Sequence, residues 1–224
     1  MTPGAALILA AGLGTRMGAL VADRPKPLIP VAGRALLDHA LDVARDVPTR
    51  VVNAHYKADQ IVRHLAGTDV RVSVEDPVIL DSGGAIKHAR PLLGDGPIYT
   101  LNADAAWRGP NPLDTLRDAW LPDRMAALLL CVPMDRAHGR QGGGDFAIAQ
   151  DGAIAWGGDM VYTGAQIIDP ALIDAKDPAV FPMRWLWDRA AARGGFRAVI
   201  YNGHWADVGH PDGIQIAEAM LRDV

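Results

Sequence analysis

The sequence predicts an α/β fold, a mostly parallel sheet with helices on both faces. Three observations carry this: short apolar runs alternate with longer amphipathic ones, a glycine-rich turn directly follows the first apolar run, and no stretch is apolar over the roughly 20 residues needed to span a bilayer. At 224 residues, 50% hydrophobic and 21% charged, the chain fits one domain over 1–224 whose core needs neither disulfides nor a structural metal.

In chain order, residues 5–9 read as a buried strand, and 35–47 as a helix with Leu36, Leu37, Ala40, Leu41 and Ala44 on one face. Residues 50–54 read as the second strand. A helix at 57–65, a strand at 70–74, a helix at 84–90 and a strand at 98–101 continue the βαβ alternation. Beyond Ala103 the rhythm loosens: a helix at 112–120, a strand at 126–132 and a glycine-rich loop at 139–144. Strands at 146–148 and 154–156 are joined as a hairpin through Asp151-Gly152. A strand at 161–168, a helix at 182–193, a strand at 196–201 and an amphipathic helix at 211–221 close the chain. The second half reads as strands added to the same sheet. The front half is expected to bind nucleotide and the back half a second substrate.

Composition narrows the function. The 22 Lys+Arg are scattered against 26 Asp+Glu, for a net charge of −4, which argues against nucleic acid as a partner. The single Cys131, in the apolar run 125–132, reads as a buried small hydrophobe in a protein of the reducing cytoplasm. The first residues lack the charged start of a signal peptide, and no membrane partner is expected. The seven histidines show no zinc-ligand spacing.

Four segments carry chemistry. In Leu9-Ala10-Ala11-Gly12-Leu13-Gly14-Thr15-Arg16-Met17, a glycine turn after a strand lets backbone N–H groups approach phosphate oxygens; read alone, it also fits a plain tight turn. A dinucleotide fingerprint fits poorly, because Met17 stands where the third glycine belongs, and no Gly-Lys pair exists for a Walker loop. In Arg24-Pro25-Lys26-Pro27, the prolines stiffen the backbone and hold an ammonium at a set distance from that turn. Asp104 closes the run Leu101-Asn102-Ala103-Asp104, and Asp207 lies in Trp205-Ala206-Asp207-Val208-Gly209. Carboxylates at the ends of neighbouring parallel strands suit Mg²⁺, although each aspartate alone fits a turn or helix cap equally well. Trp185 and Trp187 read as packing a helix onto the sheet.

Taken in order, L-A-A-G-L-G-T-R-M, R-P-K-P-L-I-P-V-A-G-R, D-S-G-G-A-I-K, L-N-A-D and W-A-D-V-G resemble the sugar-1-phosphate nucleotidyltransferases, or sugar-nucleotide pyrophosphorylases, over about residues 5–219. The compact length, Val52-Asn53-Ala54-His55-Tyr56, the Gly-Asp-Phe at 144–146 and Trp185-Leu186-Trp187-Asp188 look most like the bacterial N-acetylmuramate-1-phosphate uridylyltransferase branch of cell-wall recycling. Relatives using mannose- or heptose-1-phosphate with GTP or CTP share most of the motifs.

The resemblance implies a Rossmann-like three-layer sandwich with a mostly parallel mixed sheet. It also implies a reaction in which a nucleoside triphosphate and a sugar-1-phosphate give an NDP-sugar and pyrophosphate. Residue by residue, it puts Leu9, Ala10, Ala11 and Gly12 on the base and ribose, and Gly14, Thr15 and Arg16 on the triphosphate. Lys26 falls on the reacting phosphate, and Mg²⁺ on Asp104 and Asp207. Asp81, Ser82, Gly83 and Gly84 fall at the base edge, with Gly83 or Gly84 offering backbone contacts. Asn102, Asp145, Thr163 and Gly164 fall on the sugar. The chain departs from its relatives at Asp81-Ser82-Gly83-Gly84-Ala85, at Ala103 for a glycine, and at Gly143. Relatives of the muramate branch often carry an arginine at this last position, within reach of an anionic sugar. A non-catalytic sugar-nucleotide sensor would lack Arg16, Lys26 or a metal aspartate, and an NAD-dependent oxidoreductase would show an acid where Asn53 stands. The oligomeric state, the base and the sugar stay open at this level.

Overall fold

A computed structural model describes residues 1–222. The elements follow as β1 (Ala5–Leu9), β2 (Pro30–Val31), β3 (Arg34–Ala35), α1 (Leu36–Val43), β4 (Thr49–Ala54), α2 (Ala58–His64), β5 (Arg71–Val74), α3 (Asp81–Leu93), β6 (Ile98–Asn102), β7 (Ala105–Arg108) and α4 (Pro112–Ala119). There follow β8 (Ala127–Pro133), β9 (Ala137–His138), β10 (Phe146–Ile148), β11 (Ile154–Trp156), β12 (Met160–Ile168), α5 (Met183–Ala192), β13 (Phe196–Ile200), β14 (His204–Asp207) and α6 (Pro211–Arg222). Every strand and helix expected from periodicity is present, with shifted ends. α1 stops at Val43 because Ala44 leaves helical geometry.

The central sheet has nine strands, with β11-β10-β12-β6-β1-β4-β5 as its main path, β8 attached to β12 and β13 to β8. β5, β4, β1 and β6 run parallel. β12 pairs antiparallel with both β6 and β8, and β13 runs parallel to β8. The sheet is therefore mixed and mostly parallel, as expected. β12 carries a register shift between Tyr162 and Gln166, where Gly164 adopts φ +81°, a left-handed conformation that favours glycine.

Alternation along β1 builds the layers. Ala6 and Ile8 point into one core with Leu37, Ile61 and Leu116 of α1, α2 and α4, while Ala5 and Leu7 point into a second with Ile86 and Leu186 of α3 and α5. Each fully buried aliphatic side chain contributes roughly 1.5–3 kcal/mol, so a strand buried on both faces reads as one continuous apolar run. One expectation needs correction. β7, β14 and β9 form a separate three-stranded sheet, so the second half is not simply an extension of the first sheet. A third core, with Met17, Val31, Ala206 and Met220, packs α6 against this small sheet and the loop after β1.

Candidate active site

The chain passes from β1 outward to β4 and β5, then returns to place β6 on the other side of β1. The carboxyl ends of β1 and β6 therefore flank the switch point, where open α/β sheets leave a crevice. Residues 10–14 leave β1 there, and Ala103-Asp104 leaves β6. After the turn, Met17 is 1% exposed and anchors a short 3₁₀ segment, Thr15–Val21, in the third core. Arg16 stays on the cleft side.

Three adjoining cavities, each about 300–370 Å³, share Asp104 as a lining residue. The first is bounded by Leu9, Ala11, Gly12, Asp81 and Ser82, the second by Ala10, Gly14, Thr15, Arg16 and Lys26. The third is bounded by Arg16, Asn102, Asp145, Gly164 and Asp207. Most of the sequence-derived residues thus gather around one aspartate, with Thr163, Gly83 and Gly84 lining none of the three cavities.

The prolines do to Lys26 what the sequence suggests. Pro25 is extended, and Lys26 opens a 3₁₀ turn, Lys26–Leu28. A Cβ on Gly14, itself at φ +65°, would lie 2.9 Å from Lys26 Cβ, so lysine and glycine turn touch. The lysine is only 8% exposed and its Nζ donates to Asp104 Oδ2 at 2.6 Å. The lysine therefore rests on the aspartate expected to take a cation.

Asp207 reaches the site differently from the expectation. It ends β14 in the small sheet rather than a parallel strand beside β6. The Val208 amide donates to the Asp104 carbonyl at 2.9 Å, which ties the two ends together. Burial first, then the charge of Asp104, raises the pKa of Asp207, with Lys26, Arg16 and His210 opposing. Two oxygen donors that disfavour each other's charge suit a hard dication. Among the described residues no third His, Cys, Asp or Glu joins them, which leaves coordination positions for water and phosphate oxygens. Gly209 fits between the parts: a Cβ there would lie 3.0 Å from Asp207 Oδ2 and 3.2 Å from Arg16 Nη1.

On the sugar side, Asp145 Oδ1 accepts from Arg140 Nη2 at 2.6 Å and Oδ2 from the Tyr162 amide at 2.9 Å. Arg140 projects from the glycine-rich loop, so an arginine does stand beside Asp145 although Gly143 occupies the adjoining position. Its buried Nε has no partner among the described residues. A Cβ on Gly164 would lie 2.5 Å from Asn102 Nδ2, so the glycine leaves room for that amide. Thr163 is not brought to the cleft: it is fully buried and donates to the Leu130 carbonyl at 2.7 Å, because its position on β12 points into the sheet packing.

The base-edge segment also differs from the expectation of a closing loop. Asp81-Ser82-Gly83-Gly84 is the first turn of α3. The Gly83 and Gly84 amides both donate to the Phe181 carbonyl at 3.1 Å, which spends the backbone donors expected to meet the base. A Cβ on Gly84 would fall 2.2 Å from the Ala179 carbonyl oxygen, so these glycines pack α3 against the segment before α5. Two further residues, Asn53 and Glu75, were given no role in the site from sequence. Asn53 Oδ1 accepts from the Ala10 amide at 2.6 Å, Asn53 Nδ2 donates to Glu75 Oε1 at 2.7 Å, and Glu75 Oε2 accepts from the Leu80 amide at 2.8 Å. This buried chain fixes the β1 loop relative to α3; the available signal was a polar residue near the carboxyl end of each strand, Asn53 before the last residue of β4 and Glu75 directly after β5. Trp187 both packs and lines: its Nε1 donates to Gln166 Oε1 at 2.7 Å, and its ring walls the first and third cavities. Trp185 is 42% exposed and stacks on Phe181.

A basic, glycine-edged cleft, an adjoining acceptor pocket and two carboxylates at their junction, all at the switch point of a mixed sheet, define a nucleotidyl-transferring enzyme. The chain belongs to the family of MobA-like NTP transferase domains, whose family model matches residues 6–202. It is 38% identical to the N-acetylmuramate alpha-1-phosphate uridylyltransferase of Caulobacter vibrioides, over 99% of this chain and 98% of that protein. It is 35% identical to the bifunctional protein GlmU of Cupriavidus metallidurans, over 60% of this chain but 29% of that longer protein. In structure it resembles HddC from Yersinia pseudotuberculosis complexed with GMP-PN, with a TM-score of 0.78, 22% identity, and 99% and 100% of the two chains covered. The inositol-1-phosphate CTP transferase of T. maritima has the same fold, with a TM-score of 0.72, 13% identity, and 100% and 98% covered.

Proposed function

We propose that the protein transfers the uridylyl group of UTP to N-acetylmuramate α-1-phosphate, releasing pyrophosphate, in the cytoplasmic recycling of cell-wall sugars. The end-to-end identity with the Caulobacter enzyme carries the reading. Arg140 beside the sugar cavity, with an unspent Nε, supports an acceptor bearing extra negative charge.

A phosphate oxygen of the sugar phosphate forms a bond to the α-phosphorus of UTP while the bond from that phosphorus to the β-phosphate bridge oxygen breaks. The electron pair leaves with pyrophosphate. The attacking oxygen is already ionised at neutral pH, so alignment and charge cancellation replace a general base. Leu9, Ala10, Ala11 and Gly12 shape the ribose and base cavity, with Asp81 and Ser82 at its edge. Gly14 and Thr15 let the triphosphate approach the backbone, Arg16 holds the departing pyrophosphate, and Lys26 faces the reacting phosphate. Asn102, Asp145 and Gly164 form the sugar side. Asp104 and Asp207 would hold Mg²⁺, which when bound neutralises phosphate charge.

The test is pyrophosphate release by the purified protein with Mg²⁺, UTP and N-acetylmuramate α-1-phosphate, with mannose- and heptose-1-phosphate and GTP and CTP alongside. Fast release with the first pair alone is expected. Release only with another pair overturns the substrate assignment and keeps the chemistry, and silence with every pair overturns both.

A further inference from the structure

Besides Arg16 and Arg140, which line the sugar cavity, a further arginine stands over one of its wall residues, outside every motif discussed so far. Trp156 ends β11 and lines the cavity beside Arg140, Asp145 and Trp187, yet is 47% exposed. The guanidinium of Arg184, on α5, sits over its indole, with Cζ 3.6 Å from the ring centroid, within cation–π range. The position is electrostatically odd. Arg184 is in the first turn of α5, where the helix's positive end disfavours a cation, and no acidic residue in that turn offsets it. Its one ion pair is a long contact from Nε to Asp188, at 3.4 Å. Neither terminal nitrogen has a partner among the described residues. Arg140, by contrast, already spends a terminal nitrogen on Asp145.

A planar guanidinium with its terminal nitrogens unspent is suited to bidentate recognition of a carboxylate, and the indole that seats it is itself a lining residue of the sugar cavity. We propose that Arg184, seated on Trp156, binds the carboxylate of an acidic substituent on the sugar and so selects acidic over neutral sugar phosphates. This rests on the function proposed above and names the residue that makes that choice. Asn102 and Asp145 serve any hexose, whereas a fork above the cavity rewards only a substituent that carries a carboxylate.

The experiment compares N-acetylmuramate α-1-phosphate with N-acetylglucosamine α-1-phosphate, which lacks the acidic ether, as acceptors for the full-length enzyme and for Arg184→Met and Arg184→Lys. The methionine keeps a long apolar side chain over Trp156. The wild type should prefer the acidic acceptor. Arg184→Met should lose at least about thirtyfold in kcat/KM for it, through KM, with the neutral acceptor and the KM for UTP unchanged, so that the preference collapses. Arg184→Lys should recover part of the preference, because a point charge remains without the fork. Equal losses on both acceptors, or an unmoved ratio, would overturn the role of Arg184 and leave the proposed function standing. A wild type that turns over only the neutral acceptor would overturn both.

Discussion

Replacing Lys26 with methionine separates two jobs that its ammonium performs at one carboxylate. Nζ stands 2.6 Å from Asp104 Oδ2, with the lysine side chain 10% exposed and the aspartate 32%. Unit charges at that separation attract by about 6 kcal/mol at an effective dielectric near 20 and by about 1.6 kcal/mol in bulk water. With the carboxylate one-third open to solvent, the working value lies toward the smaller figure, which still corresponds to about tenfold in an equilibrium constant. Lysine and an incoming cation compete for the same oxygens. Lys26→Met should therefore let Mn²⁺, the spectroscopic substitute for Mg²⁺, bind nucleotide-free protein about tenfold more tightly in an electron paramagnetic resonance titration. The same substitution removes a cation from the reacting phosphates and should lower kcat about a hundredfold, or ~3 kcal/mol. Metal affinity and turnover move in opposite directions, which loosening of the fold would not produce. Unchanged or weaker Mn²⁺ binding in Lys26→Met would refute the competition and, with it, the assignment of Asp104 as a metal-facing ligand.

Three other perturbations probe the same cleft. Gly209→Ala places a methyl 3.0 Å from Asp207 Oδ2 and 3.2 Å from Arg16 Nη1; kcat should fall by about an order of magnitude, with a nearly unchanged melting temperature. The pKa of Asp207 is raised mainly by burial, so its contribution to stability is present below the ordinary carboxylate range and lost as pH rises through the raised value. Asp207→Asn should thus melt above the wild type at neutral pH, lose that advantage on acidification, and be inactive throughout; a constant offset across pH 4–8 in thermal melts would count against the shift. Gly164→Ala meets both a φ of +81° and Asn102 Nδ2 at 2.5 Å. Denaturant unfolding should show a loss of about 1–3 kcal/mol, and acceptor KM should rise more than UTP KM.

Most of the main sheet was legible because its strands are either fully buried or alternate cleanly, as β1 does between Ala6, Ile8 and Ala5, Leu7. The small sheet was not. β9 has two residues, and β7 and β14, four each, find partners far along the chain, Asp207 opposite Ala105 and Trp205 opposite Ala137, with no hairpin turn like the Asp151-Gly152 that marks β10 and β11. The expected site residues that the structure brings to the cleft sit largely on loops whose glycines and prolines dictate backbone shape, such as Gly14 and Pro25. The expected groups that do not face the cleft are set by tertiary partners: Phe181 decides where the Gly83 and Gly84 amides point, and Leu130 takes the Thr163 hydroxyl. The Asn53–Glu75 chain was invisible for a related reason, since its partners lie 43 and 22 residues apart in sequence.

The small sheet matters more to the chemistry than its size suggests. Asp104 is carried by the rigid parallel sheet, whereas Asp207 comes from β14, beyond the last strand of that sheet. Two carboxylates must stay close despite their mutual repulsion, and burial, with the charge of Asp104 adding to it, raises the pKa of Asp207. Three connections hold them: the backbone bond from Val208 to Asp104, the pairing of β14 with β7, the strand that immediately follows Asp104, and the burial of Ala206 and Val208 in one core with Ala217 of α6. Because β7 and Asp104 are neighbours in sequence, pairing β14 to β7 sets both aspartates by one register: Asp207 opposite Ala105. A slip of one residue would turn Asp207 to the other face of the small sheet. The late strand thus does for the cleft what proline and glycine do for Lys26: local geometry is spent on placing one charge against another before any substrate arrives.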